Sequence, residues 1–234
     1  MLAVFRKSLR DSRKMTLWLS IGLGIYAIMI VSFYPAILEQ RDNLNEMLKS
    51  YPKELMAMMY GETDLDQIDI ADPGGFVQAE YGTWVMLILG AVAIAQAFNA
   101  LTNSERDGTL DVMLSFPVSR QDYLLGRFFA TALGILIMQT AGWIGFVIGS
   151  QIWTEFNISA GDLALITYGA FFPIMVFTTF TYLLATFTPS SKRFAGAIAY
   201  LFMIGSYLIY GLSSAVESLQ GIRPFIVYDY YRVN

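Results

Sequence analysis

Residues 103–127 read NSERDGTLDVMLSFPVSRQDYLLGR and lie between two long windows that contain no charged residue. The stretch itself holds seven charged residues, a proline and apolar residues at helical spacing. A turn at a membrane surface needs only a few polar residues, so this stretch is longer and more patterned than a turn. Its uncharged flanks point to the fold class, and the stretch itself is the first candidate for a functional element.

Windows without Asp, Glu, Lys or Arg recur five times along the chain, at 15–38, 81–104, 128–154, 163–191 and 194–216. Each window can supply the ~20 apolar residues that carry a helix across a bilayer, whereas barrel strands would be ~10 residues with strict alternation. The composition agrees, with 56% hydrophobic and only 15% charged residues. The sequence therefore predicts an all-α polytopic membrane protein, with residues 1–234 forming a single transmembrane domain.

Basic residues indicate the orientation of the spans. Ten Lys and Arg residues fall on the side of the N-terminus and the 105–127 loop, and five fall on the other side. Lys and Arg stay preferentially in the cytoplasm, so we expect a cytoplasmic N-terminus. Residues 1–14 then form a basic amphipathic helix at the inner membrane surface. Residues 36–80 form an acidic external loop with amphipathic helices, the second beginning at Pro52, and Pro73-Gly74-Gly75 marks re-entry into the membrane.

Several kinds of chemistry are excluded by composition. The chain has no Cys and no His, which removes disulfides, thiol nucleophiles, His bases and Cys/His metal sites. It also lacks the G-x-x-x-x-G-K-[ST] motif that cradles ATP phosphates. The acidic pI of 4.8 does not describe a nucleic-acid binder. We therefore expect no catalytic, metal-binding or cofactor-binding residue in this chain.

Within the 105–127 loop, the apolar pattern predicts a short helix, a break and a second helix. Leu110, Met113 and Leu114 would share one face, with Thr109 near the helix start, Asp111 in its first turn and Pro117 at its end. Ser119-Arg120-Gln121-Asp122 then matches a capping box that opens a helix leading into the third span. The apolar face of the short helix must lie on the bilayer surface, on the chain's own helices or in a partner's groove.

Uncharged polar residues inside the spans have two interpretations. They make hydrogen bonds between helices, or they line a translocation path; the candidates for a path are Gln96, Asn99, Gln139, Thr178 and Thr181. Gly145-x-x-x-Gly149, preceded by Ala141, permits close helix packing and is a weak indication of a dimer face. The absence of ionisable residues from the spans argues against a proton-driven carrier.

The stretch 105–127 resembles the signature of ABC-2-type transporter permeases, which follows their second span. The matching residues are Glu105, Gly108, Thr109, Leu110, Leu114, Pro117, Ser119, Arg120 and Gly126. The basic N-terminal helix, the large external loop and Gly75-Phe76 at re-entry also agree. Such permeases usually have six spans, so the resemblance implies a further helix beyond the five visible here.

The resemblance also implies a function and partners. The loop would be a coupling helix that docks on an ATP-binding subunit through Glu105, Arg106, Gly108, Thr109, Leu110, Asp111, Met113, Leu114, Pro117 and Arg120. We expect two such subunits, which bind the ATP and Mg²⁺, and a second permease in a homodimer or heterodimer, in the plasma (inner) membrane of a prokaryote. The transporter would most readily be an exporter, and the uncharged spans favour a hydrophobic or amphipathic substrate. The alternatives are a non-transporting assembly or sensor protein that signals through a cytoplasmic partner, and a membrane enzyme, for which the spans hold no catalytic pair.

Overall fold

A computed structural model describes residues 1–49, 51, 72–106, 119–187 and 192–231 of the chain. Across these residues the structure is helical, and five helices are long and apolar enough to cross a membrane. This confirms the predicted all-α fold class. We call the helices span one (Leu2–Glu39), span two (73–106), span three (Arg120–Ile152), span four (Ala160–Phe187) and span five (Lys192–Ala215). The predicted helix beginning at Pro52 lies outside the described residues.

Span one differs from the prediction of a separate surface helix followed by a span. Leu2–Glu39 is one continuous α-helix, because neither Gly nor Pro interrupts the sequence between residues 1 and 21. At 1.5 Å per residue its length is about 57 Å, well beyond the ~30 Å hydrocarbon core. The short helix Arg41–Lys49 follows after Gln40, in agreement with the amphipathic helix predicted there. The interfacial position of residues 1–14 stays a prediction.

Span two begins earlier than its uncharged window and changes helix type within its length. Asp72 caps the first turn by accepting a hydrogen bond from the Gly75 backbone N–H at 2.6 Å, and Pro73 occupies the first helical position. The α-helix Pro73–Val77 passes into a π-helix over Gln78–Gly82 and then into the α-helix Thr83–Arg106. The Pro-Gly-Gly sequence is therefore already part of the helix, and the external position of residues 36–80 stays a prediction.

Span four is interrupted, although its uncharged window predicted one helix. The helix Ala160–Gly169 ends at a turn at Ala170, and a second helix, Phe171–Phe187, follows. Pro173 explains the interruption, because it has no N–H to offer Gly169 and its ring would clash with that carbonyl. The first helix is capped by Ser159, whose Oγ accepts a hydrogen bond from the Asp162 N–H at 3.0 Å.

Span one packs along span three over a seam of small residues. A Cβ added at Gly145 would collide with the carbonyl oxygen of Gly24, and one added at Gly149 would lie 2.9 Å from the Cβ of Val31. The Gly145-x-x-x-Gly149 face is therefore covered by the chain's own first span, which corrects its interpretation as a dimer face. Span two packs instead against Phe171–Phe187 and span five.

The C-terminal residues fold back onto the helices in two short 3₁₀ segments, Arg223–Phe225 and Val227–Tyr231. Tyr228 and Tyr231 are buried, and the Tyr231 hydroxyl donates to the Ile166 carbonyl at 2.8 Å. Arg223 Nε pairs with Asp229 Oδ1 at 2.7 Å within the segment. The C-terminal segment thus contributes Tyr228 and Tyr231 to the protein core.

Candidate coupling site and polar residues of the spans

The start of span three is held by the predicted capping box. Ser119 has extended backbone angles, its Oγ accepts from the Asp122 N–H at 3.0 Å, and the same hydroxyl donates to Asp122 Oδ2 at 3.0 Å. The Asp122 carboxylate adds a negative charge beside the positive end of the helix dipole. Span three therefore has a firmly defined first turn directly after the 107–118 segment.

The N-terminus of the chain packs on these first turns of span three. The α-amino group of Met1 lies 3.5 Å from Asp122 Oδ1. Val4 is buried, and a Cβ added at Gly126 would lie 3.0 Å from both the Met1 carbonyl oxygen and the Val4 Cβ. A displacement of the beginning of span three would therefore also move the beginning of span one.

Of the predicted docking residues, the structure describes three. The side chain of Arg120 is exposed at the start of span three, and Glu105 and Arg106 end the helical backbone of span two. The remaining docking residues lie outside the described residues; they are Gly108, Thr109, Leu110, Asp111, Met113, Leu114 and Pro117. The two ends of the predicted coupling segment are thus helix ends, and the docking role of its residues stays a prediction.

Tyr123 joins the two helices that flank the coupling segment, and the sequence did not single it out. Its ring is buried, and its hydroxyl donates to the Ala100 carbonyl of span two at 2.8 Å. The Arg127 guanidinium carbon lies 5.0 Å from the centre of the same ring, a cation–π arrangement. The four-residue spacing of an aromatic and a basic residue is the signal that could have identified this pair.

The polar residues proposed for a translocation path fall in different environments. Thr178 and Thr181 are buried, and each hydroxyl donates to a backbone carbonyl four residues earlier, at 2.7 Å. Gln139 is also buried, and its Nε2 donates to the Thr167 carbonyl of span four at 3.0 Å. These contacts are those expected of polar residues that join or stabilise packed helices.

Gln96 and Asn99 lie one turn apart on span two and are more accessible. Gln96 is half-buried and Asn99 is exposed. The Asn99 amide would lose its hydrogen bonds to water without compensation if it faced lipid, and Gln96 Nε2 is buried with no hydrogen-bond partner among the described residues. Of the five candidates, these two therefore remain the better placed to meet a second subunit or a substrate, and the path itself stays a prediction.

A second group of hydrogen bonds surrounds the irregular turns of spans two and four. The Tyr26 hydroxyl of span one donates to the Glu80 carbonyl in the π-helix at 2.7 Å. Gln78 Nε2 donates to the Tyr231 carbonyl at 3.5 Å, and Tyr231 in turn bonds Ile166 in the last turn before the span-four break. Burial raises the pKa of Tyr231, so its hydroxyl keeps the proton that it donates.

The described residues include no group of three or more His, Cys, Asp or Glu side chains that could hold a metal ion. Neither the search of curated proteins nor the search of solved structures gave a match. A family profile described as ABC-2 family transporter protein matches residues 2–226. This match covers almost the whole chain and agrees with the resemblance of the 105–127 stretch. The chain therefore belongs to the ABC-2 transporter family, as a membrane permease of an ABC transporter.

Proposed function

We propose that this permease is the membrane subunit of an exporter, driven by a separate ATP-binding subunit that docks on the 105–127 loop. The observation that carries the proposal is the construction of the two helix ends beside this loop. Span three begins at a capped turn at Ser119 and continues without interruption to Ile152. A rigid helix of this kind can transmit a displacement of the loop across the membrane.

The contacts of span three would carry a displacement of the 105–127 loop to other helices. Span one follows span three along the glycine seam, and Tyr123 connects span three to span two. A force on the loop would therefore reach three spans within the first turns. The apolar face predicted for Leu110, Met113 and Leu114 would supply the docking contact, as amphipathic helices do in grooves.

The proposed assembly contains two permeases and two ATP-binding subunits, because the five spans of the described residues pack around a continuous apolar core and leave a path to be formed between subunits. ATP and Mg²⁺ would be bound by the ATP-binding subunits. The substrate would be hydrophobic or amphipathic, since the five windows that supply the spans contain no charged residue to bind a charged solute. We place the complex in the plasma membrane of a prokaryote, with the N-terminus in the cytoplasm.

Co-purification tests the proposal. We expect the tagged permease to retain an ATP-binding subunit, and the double variant Leu110→Asp with Leu114→Asp to lose it, because two carboxylates would be buried in the apolar groove. The matched control is Leu110→Met with Leu114→Met, which keeps an apolar face of similar volume. Retention of the subunit by the Asp variant would overturn the docking role of the loop. Association with ATP hydrolysis but no substrate movement in vesicles would favour the sensor alternative.

A further inference from the structure

Two polar atoms inside the packed spans have no hydrogen-bond partner among the described residues, the Tyr81 hydroxyl and Gln139 Oε1. Both side chains are enclosed by the protein, since Tyr81 is 1% exposed and Gln139 is fully buried. A polar group that has left water without gaining a partner is costly, and it is especially so within a membrane. The two atoms therefore indicate a site for a polar ligand.

The end of a helix fixes the orientation of the Gln139 amide. The helix Ala160–Gly169 ends at the break in span four, so the carbonyls of its last turn lack the usual helical donors. Gln139 Nε2 donates to one of them, the Thr167 carbonyl, at 3.0 Å. Because a carbonyl can only accept, the nitrogen of the amide must face Thr167. This leaves Gln139 Oε1 facing another part of the packed interior.

The π-helix of span two places the Tyr81 hydroxyl on the same face of span three. The Tyr81 ring lies against Phe146 with ring centres 4.7 Å apart, and its hydroxyl occupies the position of a Cβ at Gly142. Residues 139, 142 and 146 follow one another along a single face of the helix. The Tyr81 side chain therefore points along this face, from Phe146 toward Gln139.

The spacing of the two groups fits one bridging molecule. Cβ atoms three residues apart on a helix lie roughly 5–6 Å from each other, and the Tyr81 hydroxyl stands at the Cβ position of Gly142, three residues from Gln139. Two consecutive hydrogen bonds of ~2.8 Å each span a similar distance. A carbonyl oxygen of Gln139 only accepts, whereas the tyrosine hydroxyl can donate, so the bridging molecule must both donate and accept.

We propose that Tyr81 and Gln139 bind an ordered water molecule between spans two, three and four. The water accepts from the Tyr81 hydroxyl and donates to Gln139 Oε1, and its second hydrogen is available to a backbone carbonyl. Buried waters typically make about three hydrogen bonds at polar sites of this kind. Ordered waters also satisfy polar groups near interrupted membrane helices, and this site adjoins both the π-helix of span two and the broken end of the helix Ala160–Gly169.

The water site gives Gly142 a role distinct from that of the other glycines of span three. At Gly145 and Gly149 the missing side chain makes room for span one, whereas at Gly142 it makes room for a hydroxyl group of span two. The polar group that Gly142 admits then needs a partner inside the protein. The site is independent of the proposed transport function, because it depends only on contacts within the chain.

A structure of the permease in lipid nanodiscs, at a resolution that shows ordered waters, tests the site directly. We expect a solvent peak at about 2.8 Å from both Tyr81 Oη and Gln139 Oε1, and we expect the variant Gln139→Met to lack it. A dry interior at this position would overturn the proposal. A direct hydrogen bond between the two side chains would overturn it as well.

Unfolding temperatures provide an independent test. Tyr81→Phe keeps the ring contacts and removes the hydroxyl, so it should lower the unfolding temperature by roughly 2–4 °C in the native chain. In the Gln139→Met background the water has already lost a partner, and the same change should have less than about half of that effect. The matched control is Tyr200→Phe, which removes a hydroxyl that donates to the Ala91 carbonyl at 3.1 Å and should act equally in both backgrounds. Equal shifts for Tyr81→Phe in the two backgrounds would overturn the shared water.

Discussion

Two regions of the molecule hold helices together in different ways. One is the glycine seam between spans one and three, and the other is the junction around Tyr231, where Tyr26, Gln78–Gly82 and Ile166 meet. The seam brings backbones together at Gly24, Gly145 and Gly149, where an added Cβ would lie within 3.3 Å of the neighbouring helix. At the junction, aromatic hydroxyls bridge helix ends by donating to backbone carbonyls, from Tyr26 to Glu80 and from Tyr231 to Ile166. Close packing suits a contact that stays fixed, because many atoms must separate together, whereas single hydrogen bonds suit contacts at a bend.

The seam should be the more sensitive of the two regions. Gly145→Ala should lower the stability of the folded permease by about 2–3 kcal/mol, because the new Cβ meets the Gly24 carbonyl and the helices must separate. Thermal unfolding in detergent measures this effect. The control is Gly22→Ala in span one, where a Cβ meets nothing within 4 Å and helix propensity should raise stability by up to about 1 kcal/mol. Equal effects of the two variants would show that the seam is not tightly packed.

At the junction, Tyr231→Phe should cost about 1–2 kcal/mol, since it removes the donor to the Ile166 carbonyl at a buried position. The neighbouring Tyr230 provides the control, because it is 73% exposed and its hydroxyl donates to the exposed Pro224 carbonyl. Tyr230→Phe should change the unfolding temperature little. A large effect at Tyr230 and none at Tyr231 would contradict the packing of the C-terminal segment against span four.

Variants of the two capping boxes distinguish a loss of stability from a loss of coupling between the permease and ATP hydrolysis. Ser119→Ala and Ser159→Ala each remove a hydrogen bond to the N–H of an Asp three residues later, at 3.0 Å in both cases, and each should cost about 1 kcal/mol. Only Ser119 lies beside the 105–127 loop, so only Ser119→Ala should also reduce substrate-stimulated ATP hydrolysis in the complex. An equal loss of coupling in both variants would indicate a general effect of stability.

The smallest effect is expected at Gln139. Gln139→Met removes the bond to the Thr167 carbonyl, worth about 0.6 kcal/mol between membrane helices. It also removes a buried Oε1 that has no hydrogen-bond partner among the described residues. The net change in unfolding free energy should stay below about 1 kcal/mol. A loss above about 2 kcal/mol would mean that Oε1 is bonded in the membrane, which would strengthen the interpretation of Gln139 as part of a path.

Much of the fold could be predicted because it depends on local sequence. Length without charge identified the five spans, and the Ser119–Asp122 spacing identified the start of span three. Two further features of the fold also have a local signal in the sequence. Ser159-Ala160-Gly161-Asp162 repeats the same capping pattern, and Pro173 within the fourth window indicates a broken helix.

Other features depend on contacts between distant residues and have no local signal. Tyr231 is buried because Gln78 and Ile166, far earlier in the chain, supply its hydrogen-bond partners. The glycines of span three were recognised as a packing face, but the sequence could not tell whether the opposing helix belonged to the same chain. At the candidate site, the coupling segment stays a prediction from the sequence pattern, whereas Tyr123 is identified only by its hydrogen bond to the distant Ala100 carbonyl.

The π-helix of span two also determines how the helix Thr83–Arg106, which follows it, is rotated about its own axis. One extra residue in a turn rotates the subsequent helix by about 100° relative to an uninterrupted α-helix. Deleting a single residue within Gln78–Gly82 would therefore turn Thr83–Arg106 about its axis, taking the Ala100 carbonyl away from Tyr123 and Asn99 away from its exposed position. A change of one residue near the beginning of span two would thus change which side of this helix faces the other helices near its end.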